Sequence, residues 1–439
     1  MDVGLDHHIT VFTLELGAMP GYSTSLYYCS THYYPNYYVH EQATTHTYYL
    51  LAHVPEFIQS AEHFYTGADL CELFTNMMVT AWTLATNYAH IYNTSISKEA
   101  LQPYLPSDWL SFEMDVDNVF NCFFLNTLPL DHHKHQQLLE LCHDIPSQAE
   151  WLQLALETQN ICMAGPRQEE WNHVCSLCCY MYEDLDDHWL YLRSMVTDGL
   201  TMGHYCCLVL DCQNWLHSVK DLFCFEHQIL KNQCCVTTCS TPIQPGQAAS
   251  TARLADNSND DEEIQYVCNG KSMQSNGVLQ ARFGHRWMHN EQLCVFSCRV
   301  VAGRATFFGP EAPNNEYLRT YFDNVALPVN MFHFKSKHKE GNIDCGANCN
   351  LYIWLKLRTE DSKWHFNPSA AEQTNAWFSG FLVIMCEMPV EWFNFFLDEM
   401  IKYRNCILVC DLRKRGKAPG NIPQDILLKG DEDSEMDST

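Results

Sequence analysis

Val196-Thr197-Asp198-Gly199-Leu200-Thr201-Met202-Gly203-His204-Tyr205-Cys206-Cys207 is the stretch on which the reading of this chain turns. It starts inside an apolar run that begins at Met195 and ends in Asp198-Gly199. It closes on Cys207, which opens the spacing Cys207-x4-Cys212-x11-Cys224-x2-His227. Tetrahedral zinc takes such a set, with thiolates near ~2.3 Å and imidazole near ~2.0–2.1 Å. A centre closed by four protein ligands is structural, because no position is left for water. Buried cysteines packing as small hydrophobes are the plainer alternative.

Further groups lie on either side. Cys175-x2-Cys178 is a half-site with no evident second half. Cys235-x3-Cys239, preceded by Cys234, has no following cysteine until Cys268. His333-x4-His338-x6-Cys345-x3-Cys349 offers two His and two Cys for another zinc, beside Lys335, Lys337 and Lys339. There the alternative is a core histidine between Phe332 and Phe334, with the lysines as a solvated face. The chain holds 23 Cys and 22 His. An odd cysteine count without a signal peptide reads as reduced thiols, some of them metal ligands.

Two carboxylates stand out. Metal-assisted phosphoryl chemistry needs carboxylates that converge on Mg²⁺. Asp198 ends an apolar run, and Glu372 opens an expected helix in Pro368-Ser369-Ala370-Ala371-Glu372-Gln373. By themselves they read equally well as a turn Asp and a helix N-terminal Glu.

Composition bounds the rest. The chain has 439 residues, 46% hydrophobic and 18% charged, which suits two or three globular domains. Its longest apolar stretch, 378–385, is too short to span a bilayer. The start, Met1 to His8, has neither a basic nor an apolar signal region. A membrane channel is therefore excluded, and secretion is not expected. The net charge of −27 argues against a simple nucleic-acid binder. Residues 1–200 carry 4 Lys+Arg against 25 Asp+Glu, whereas residues 264–420 carry 18 against 14. A polyanion would have to meet that later segment.

Hydrophobic periodicity predicts helices over 72–92, 148–159 and 391–413. The last runs into Arg413-Lys414-Arg415-Gly416-Lys417. The Tyr-rich run 27–38 reads as short strands and turns, and 292–308 as two strands about a turn near Ala302-Gly303. Residues 244–263 form an acidic linker, and 430–439 an acidic tail expected to be disordered. No internal repeat is visible.

Longer motifs carry a resemblance. The stretch 196–207, the cysteines from Cys212 to Cys239, and Phe332-His333-Phe334-Lys335-Ser336-Lys337-His338-Lys339-Glu340 resemble KDZ (Kyakuja–Dileera–Zisupton) transposases, particularly fungal members. So do Ser369-Ala370-Ala371-Glu372-Gln373-Thr374-Asn375-Ala376-Trp377-Phe378 and Asn394-Phe395-Phe396-Leu397-Asp398-Glu399-Met400-Ile401. Ala81-Trp82-Thr83-Leu84-Ala85-Thr86-Asn87 and the Tyr33–Tyr38 run look similar to the same proteins. The resemblance implies an α+β fold: an RNase H-like transposase core with an inserted Cys/His zinc cluster and a helical N-terminal region. Asp198 would take the place of the first catalytic Asp and Glu372 that of the final Glu. The expected chemistry is Mg²⁺-dependent cleavage and transfer of transposon DNA ends in the nucleus, with structural zinc. A homo-oligomer is compatible with this reading.

The expected organisation is an N-terminal region with a degenerate cysteine cluster (1–165), then a first core segment with the zinc cluster (166–245). An acidic linker (246–264), the remaining core (265–420) and the tail (421–439) follow. Relatives carry the second catalytic Asp in a stretch between the equivalents of Asn314 and Asn315, and here that stretch is missing. Asn330 stands where relatives usually have Asp, and Leu26 and Tyr34 stand where a Cys and a His are expected. The expectation is therefore a transposase-derived protein that is inactive as it stands. A non-catalytic, zinc-stabilised DNA- or protein-binding protein is the alternative. A zinc hydrolase ranks last, since no H-E-x-x-H motif is present.

Overall fold

A computed structural model describes residues 2–49, 55–97, 110–143, 148–163, 168–183, 189–205, 207–209, 212, 214, 216, 221–233, 288–307, 357, 359, 361, 363–385, 388 and 390–422. The fold is mixed α+β. It divides into two compact units that interleave in sequence. One comprises 1–177, 300–303 and 380–439; the other comprises 178–299 and 304–379.

The first unit is built on a long hairpin, β1 (Asp2–Thr13) and β2 (Gly17–Tyr28). Gly17 has φ 75°, a conformation that glycine adopts at no steric cost. The Thr13 hydroxyl donates to the Gly17 carbonyl and accepts from the Leu16 N–H, which closes the turn. The chain then adds β3 (Thr31–Tyr33), β4 (Tyr37–His40), β5 (Thr45–Tyr48), β6 (Phe57–Ala61), β7 (Phe64–Gly67) and, later, β8 (Glu140–Cys142). The eight strands run in the order β6-β7-β1-β2-β3-β4-β5-β8. Among the described residues, β1 and β7 pair in parallel and the other pairings of this sheet are antiparallel. The Tyr-rich run thus forms strands as expected. Its rings stack across them, with Tyr33 against Tyr38 and Tyr37 against His46 and Tyr48.

Helices α1 (Ala68–Ala81), α2 (Ala85–Ile91) and α3 (Val116–Lys134) follow, with a π-helical turn at Tyr92–Ile96. The single helix predicted over 72–92 is in fact two. Trp82 takes the left-handed conformation, φ 48°, and its N–H caps the Met78 carbonyl. Helix α3 was not anticipated. Asp115 caps it by accepting the Asn118 N–H at 2.7 Å, and Phe123, Phe124 and Leu128 are almost wholly buried. Helix α4 (Gln148–Met163) matches its prediction.

In the second unit, β10 (Cys179–Glu183) and β11 (Trp189–Arg193) form a hairpin; β9 (His173–Val174) precedes them in the first unit. Strand β12 (Met195–Tyr205) pairs antiparallel with β13 (Met288–Phe296), and β14 (Val301–Phe307) completes a sheet ordered β12-β13-β14. The two strands expected within 292–308 exist, but the turn lies at 297–300, before Ala302-Gly303. Arg299 supplies its left-handed residue, φ 74°. Helix α5 (Ala370–Phe378) packs its Ala and Phe face on β12 and β13.

The first unit closes with α6 (Leu382–Met385), α7 (Val390–Lys414) and β15 (Gly420–Asn421), which pairs with β9. Helix α7 is the helix predicted over 391–413. It packs Trp392, Phe395 and Phe396 against Phe123 and Phe124 of α3. No helix among the described residues is long and apolar enough to cross a membrane. The expected linker 246–264 lies outside the described residues, as does the tail beyond Ile422.

Candidate metal centre

Cys207 follows the end of β12, and the chain beyond it folds back on a small apolar cluster of Leu216 and Phe223, with Leu208, Val209, Leu222 and Leu230 packed around it. The Leu208 N–H donates to the Leu222 carbonyl at 3.0 Å, which holds the two limbs of the loop together. On one limb the Cys212 N–H donates to the Val209 carbonyl. On the other, a 3-10 helix runs from Phe225 to Asn232, and the His227 N–H donates to the Cys224 carbonyl at 3.0 Å. That turn is what the spacing Cys224-x2-His227 requires. It brings the His227 ring back over the Cys224 sulfur.

The four predicted ligands meet. Their ligand atoms all lie within 4.8 Å of one another. Cys212 Sγ is 3.8 Å from Cys224 Sγ. His227 Nδ1 is 3.5 Å from Cys207 Sγ, 3.4 Å from Cys212 Sγ and 3.2 Å from Cys224 Sγ. Zinc bond lengths of ~2.3 Å to sulfur and ~2.0–2.1 Å to nitrogen, set at tetrahedral angles, require separations of about 3.8 Å between sulfurs and about 3.5 Å between sulfur and nitrogen. These four separations match the edges of such a tetrahedron. The plainer reading, thiols packed as hydrophobes, gives no reason for an imidazole nitrogen to face three sulfurs.

The surroundings suit a metal thiolate. The Cys224 N–H points at Cys207 Sγ at 3.4 Å, and Asn214 Nδ2 lies 3.7 Å from Cys224 Sγ. Asn214 also donates to Glu226 Oε2 at 2.7 Å, which fixes its amide. Burial pushes the Cys212 thiol up. Burial acts on Cys224 in the same sense, but hydrogen bonds from His227, Asn214 and the neighbouring thiols outweigh it and bring Cys224 down to about 7. Metal binding must displace the remaining thiol protons, so affinity follows pH.

The other predicted residues fare differently. Cys235, Cys239, His333, His338, Cys345 and Cys349 lie outside the described residues. Asp198 sits in β12, 2% exposed, with Oδ1 accepting the Gly199 N–H. Glu372 is in the first turn of α5 and is exposed. Helix α5 lies on the strand that carries Asp198, but neither carboxylate belongs to a potential metal group among the described residues. Cys175 and Cys178 are buried.

Comparison with known families agrees with the cysteine pattern. Residues 4–96 match a family described as a CxC5 like cysteine cluster associated with KDZ transposases. Residues 196–258 match a CxC6 like cysteine cluster associated with KDZ transposases. The Cys207/Cys212/Cys224/His227 centre lies within the second. The first contains two cysteines, the exposed Cys29 and the buried Cys71. No curated protein and no solved structure matches the chain.

Proposed function

We propose that this chain, related to KDZ transposases through its two cysteine-cluster segments, is a transposase-derived protein that does not catalyse strand transfer and works as a zinc-stabilised DNA-binding protein. The observation that carries this is the four-ligand centre inside the CxC6-like segment. Zinc there would be held by Cys207, Cys212, Cys224 and His227, and its role would be to fold the loop. The family resemblance supplies the DNA partner and a nuclear site of action.

The state of the carboxylates supports the loss of catalysis. Two-metal strand cleavage needs carboxylates that converge on Mg²⁺. Asp198 is buried and bonded to its own neighbour's N–H, while Glu372 is exposed. The antiparallel β12–β13 pair with α5 against it is compatible with an RNase H-like core. The resemblance places the second Asp in a stretch between the equivalents of Asn314 and Asn315, which are adjacent here.

Electrophoretic mobility shift on duplex DNA, with and without chelator, tests the reading. Binding that weakens with salt and is lost with the zinc is the expected result. Mg²⁺-dependent nicking that Glu372→Gln abolishes would instead establish an enzyme. DNA binding that survives complete zinc removal would detach the centre from the function.

A further inference from the structure

Helix α7 carries two exposed thiols, Cys406 and Cys410, four residues apart. On a helix that spacing makes them neighbours on one face, with about 5–6 Å between Cβ atoms. We propose that Cys406 and Cys410 form a two-thiolate site for a soft, thiol-seeking ion of the copper(I) class, independent of the Cys207/Cys212/Cys224/His227 centre.

The helix holds this pair in place. It runs from Val390 to Lys414, and Ile401 and Leu412 on either side of the thiols are wholly buried. Asn405, next to Cys406, is buried and clamps the backbone of Val301. Its Oδ1 accepts the Val301 N–H at 2.9 Å, and its Nδ2 donates to the Val301 carbonyl at 2.8 Å. The spacing of the two sulfurs is therefore set by a helix that is anchored at the same point.

Chemistry decides what such a pair can do. A disulfide needs Cβ atoms about 3.5–4.5 Å apart, closer than an intact helix brings residues four apart. The pair thus stays a dithiol while α7 is folded. A nucleophilic or redox-sensing cysteine needs a lowered pKa. Partial burial, and then the neighbouring Cys410, push Cys406 up instead. A closed zinc centre needs four ligands, and among the described residues no third His, Cys, Asp or Glu joins the pair in a potential metal group. An ion satisfied by two soft donors fits the pair, and thiolates select copper(I).

Two thiolates around a monovalent ion leave one net negative charge. Glu170 and Glu169 oppose that charge at Cys406, and Lys134 favours it. Lys134 also pairs with Glu169 at 3.0 Å. Lys414 follows Cys410 at the same four-residue interval and adds a second cation on that face. Binding exchanges two thiol protons for the ion with no change of oxidation state, so affinity rises with pH.

Phenylarsine oxide is the first probe. It condenses with two thiols, forming two arsenic–sulfur bonds and releasing one water, with no oxidation. One equivalent is added to the folded, zinc-loaded full-length chain, which is then digested with trypsin and mapped by mass spectrometry. Arg404 and Arg413 bracket a peptide, 405–413, that contains both thiols. The bridged adduct should appear on that peptide, and prior addition of one equivalent of copper(I) should prevent it. Cys406→Ser and Cys410→Ser should each abolish the bridge and bind one copper(I) per chain fewer than wild type against a competing chelator. Their zinc content should equal that of wild type. Absence of the adduct from 405–413, or an adduct that copper(I) does not block, would overturn the proposal. Loss of zinc in Cys406→Ser would overturn it too, by making the pair part of a zinc centre. Failure of the Cys207 centre would appear separately, as unchanged zinc in Cys212→Ser.

Discussion

The ammonium of Lys402 reaches both carboxylate oxygens of Asp131 at 2.7 Å and Oε1 of Glu399 at 2.6 Å. The three side chains are 10%, 3% and 2% exposed, and Gln159 donates to Asp131 Oδ2. One buried cation thus serves two buried acids. Removing it leaves the charge of Asp131 uncompensated, so Lys402→Met should cost about 3–5 kcal/mol at neutral pH, read from urea unfolding. A cost below about 1 kcal/mol would mean that the acids are already neutral. Burial, and then the charge of Asp131, push Glu399 up to about 8, although Lys402 opposes this. The folded chain therefore holds a proton on Glu399 that the unfolded chain releases. The resulting stability is present at acid pH and is lost as pH rises through about 8, at no more than ~1.4 kcal/mol per unit for one proton. Thermal melts of the wild type should fall from about pH 5 to about pH 8 and level off above it, and Glu399→Gln should flatten that fall. An unchanged slope in Glu399→Gln would assign the dependence to another group. None of this was legible in the sequence. The meeting of Cys207, Cys212, Cys224 and His227 was, because their spacing is local in sequence, whereas Asp131 and Lys402 meet only when α3 packs near α7.

At the scale of elements, periodicity found helices that have one apolar face and missed one that is buried nearly all round. Helix α3 carries Asn118, Asn121, Cys122, Phe123, Phe124, Leu125 and Asn126 in its buried middle, so it has no polar face to give it a period. Two of its asparagines bond across the fold: Asn118 Oδ1 accepts from Ser60 Oγ, and Asn121 Nδ2 donates to the Ser60 carbonyl. Phe124 is wholly buried against Trp392 and Phe395 of α7. Phe124→Ala should cost about 3–5 kcal/mol in equilibrium unfolding, and a cost under about 1.5 would mean that the interface recloses around the gap. The break between α1 and α2 was missed for a different reason. Trp82 is an ordinary helix residue by pattern, and only the fold shows its left-handed turn. Its indole lies directly on Gly380, where a Cβ would collide with the ring. Gly380→Ala should therefore destabilise by about 1–3 kcal/mol, and should change the environment of the Trp82 ring as seen in near-ultraviolet circular dichroism. An unshifted midpoint would show that the ring moves aside at no cost.

At the scale of the whole molecule, the net charge of −27 sets a limit on any DNA complex. Phosphate contacts must come from a minority of the surface, since residues 264–420 hold 18 of the chain's 26 Lys+Arg. Each neutralised phosphate adds roughly 0.9 to the salt slope of binding to duplex DNA. A chain with so few cations to offer should therefore show a shallow slope and modest affinity. Like charge elsewhere on the chain opposes the encounter within a Debye length, about 10 Å at 0.1 M salt. The final segment makes this testable, because Asp431, Glu432, Asp433, Glu435 and Asp437 stand within ten residues of one another with no cation among them. Ending the chain at Lys429 removes all five without touching the Cys207/Cys212/Cys224/His227 centre or any described element. The shortened protein should bind duplex DNA several-fold more tightly at low salt, with the advantage vanishing at high salt. Equal affinity at low salt would mean that the acidic segment lies beyond screening distance of the DNA. An advantage that persists at high salt would mean that the segment blocks the site by occupancy, not by charge.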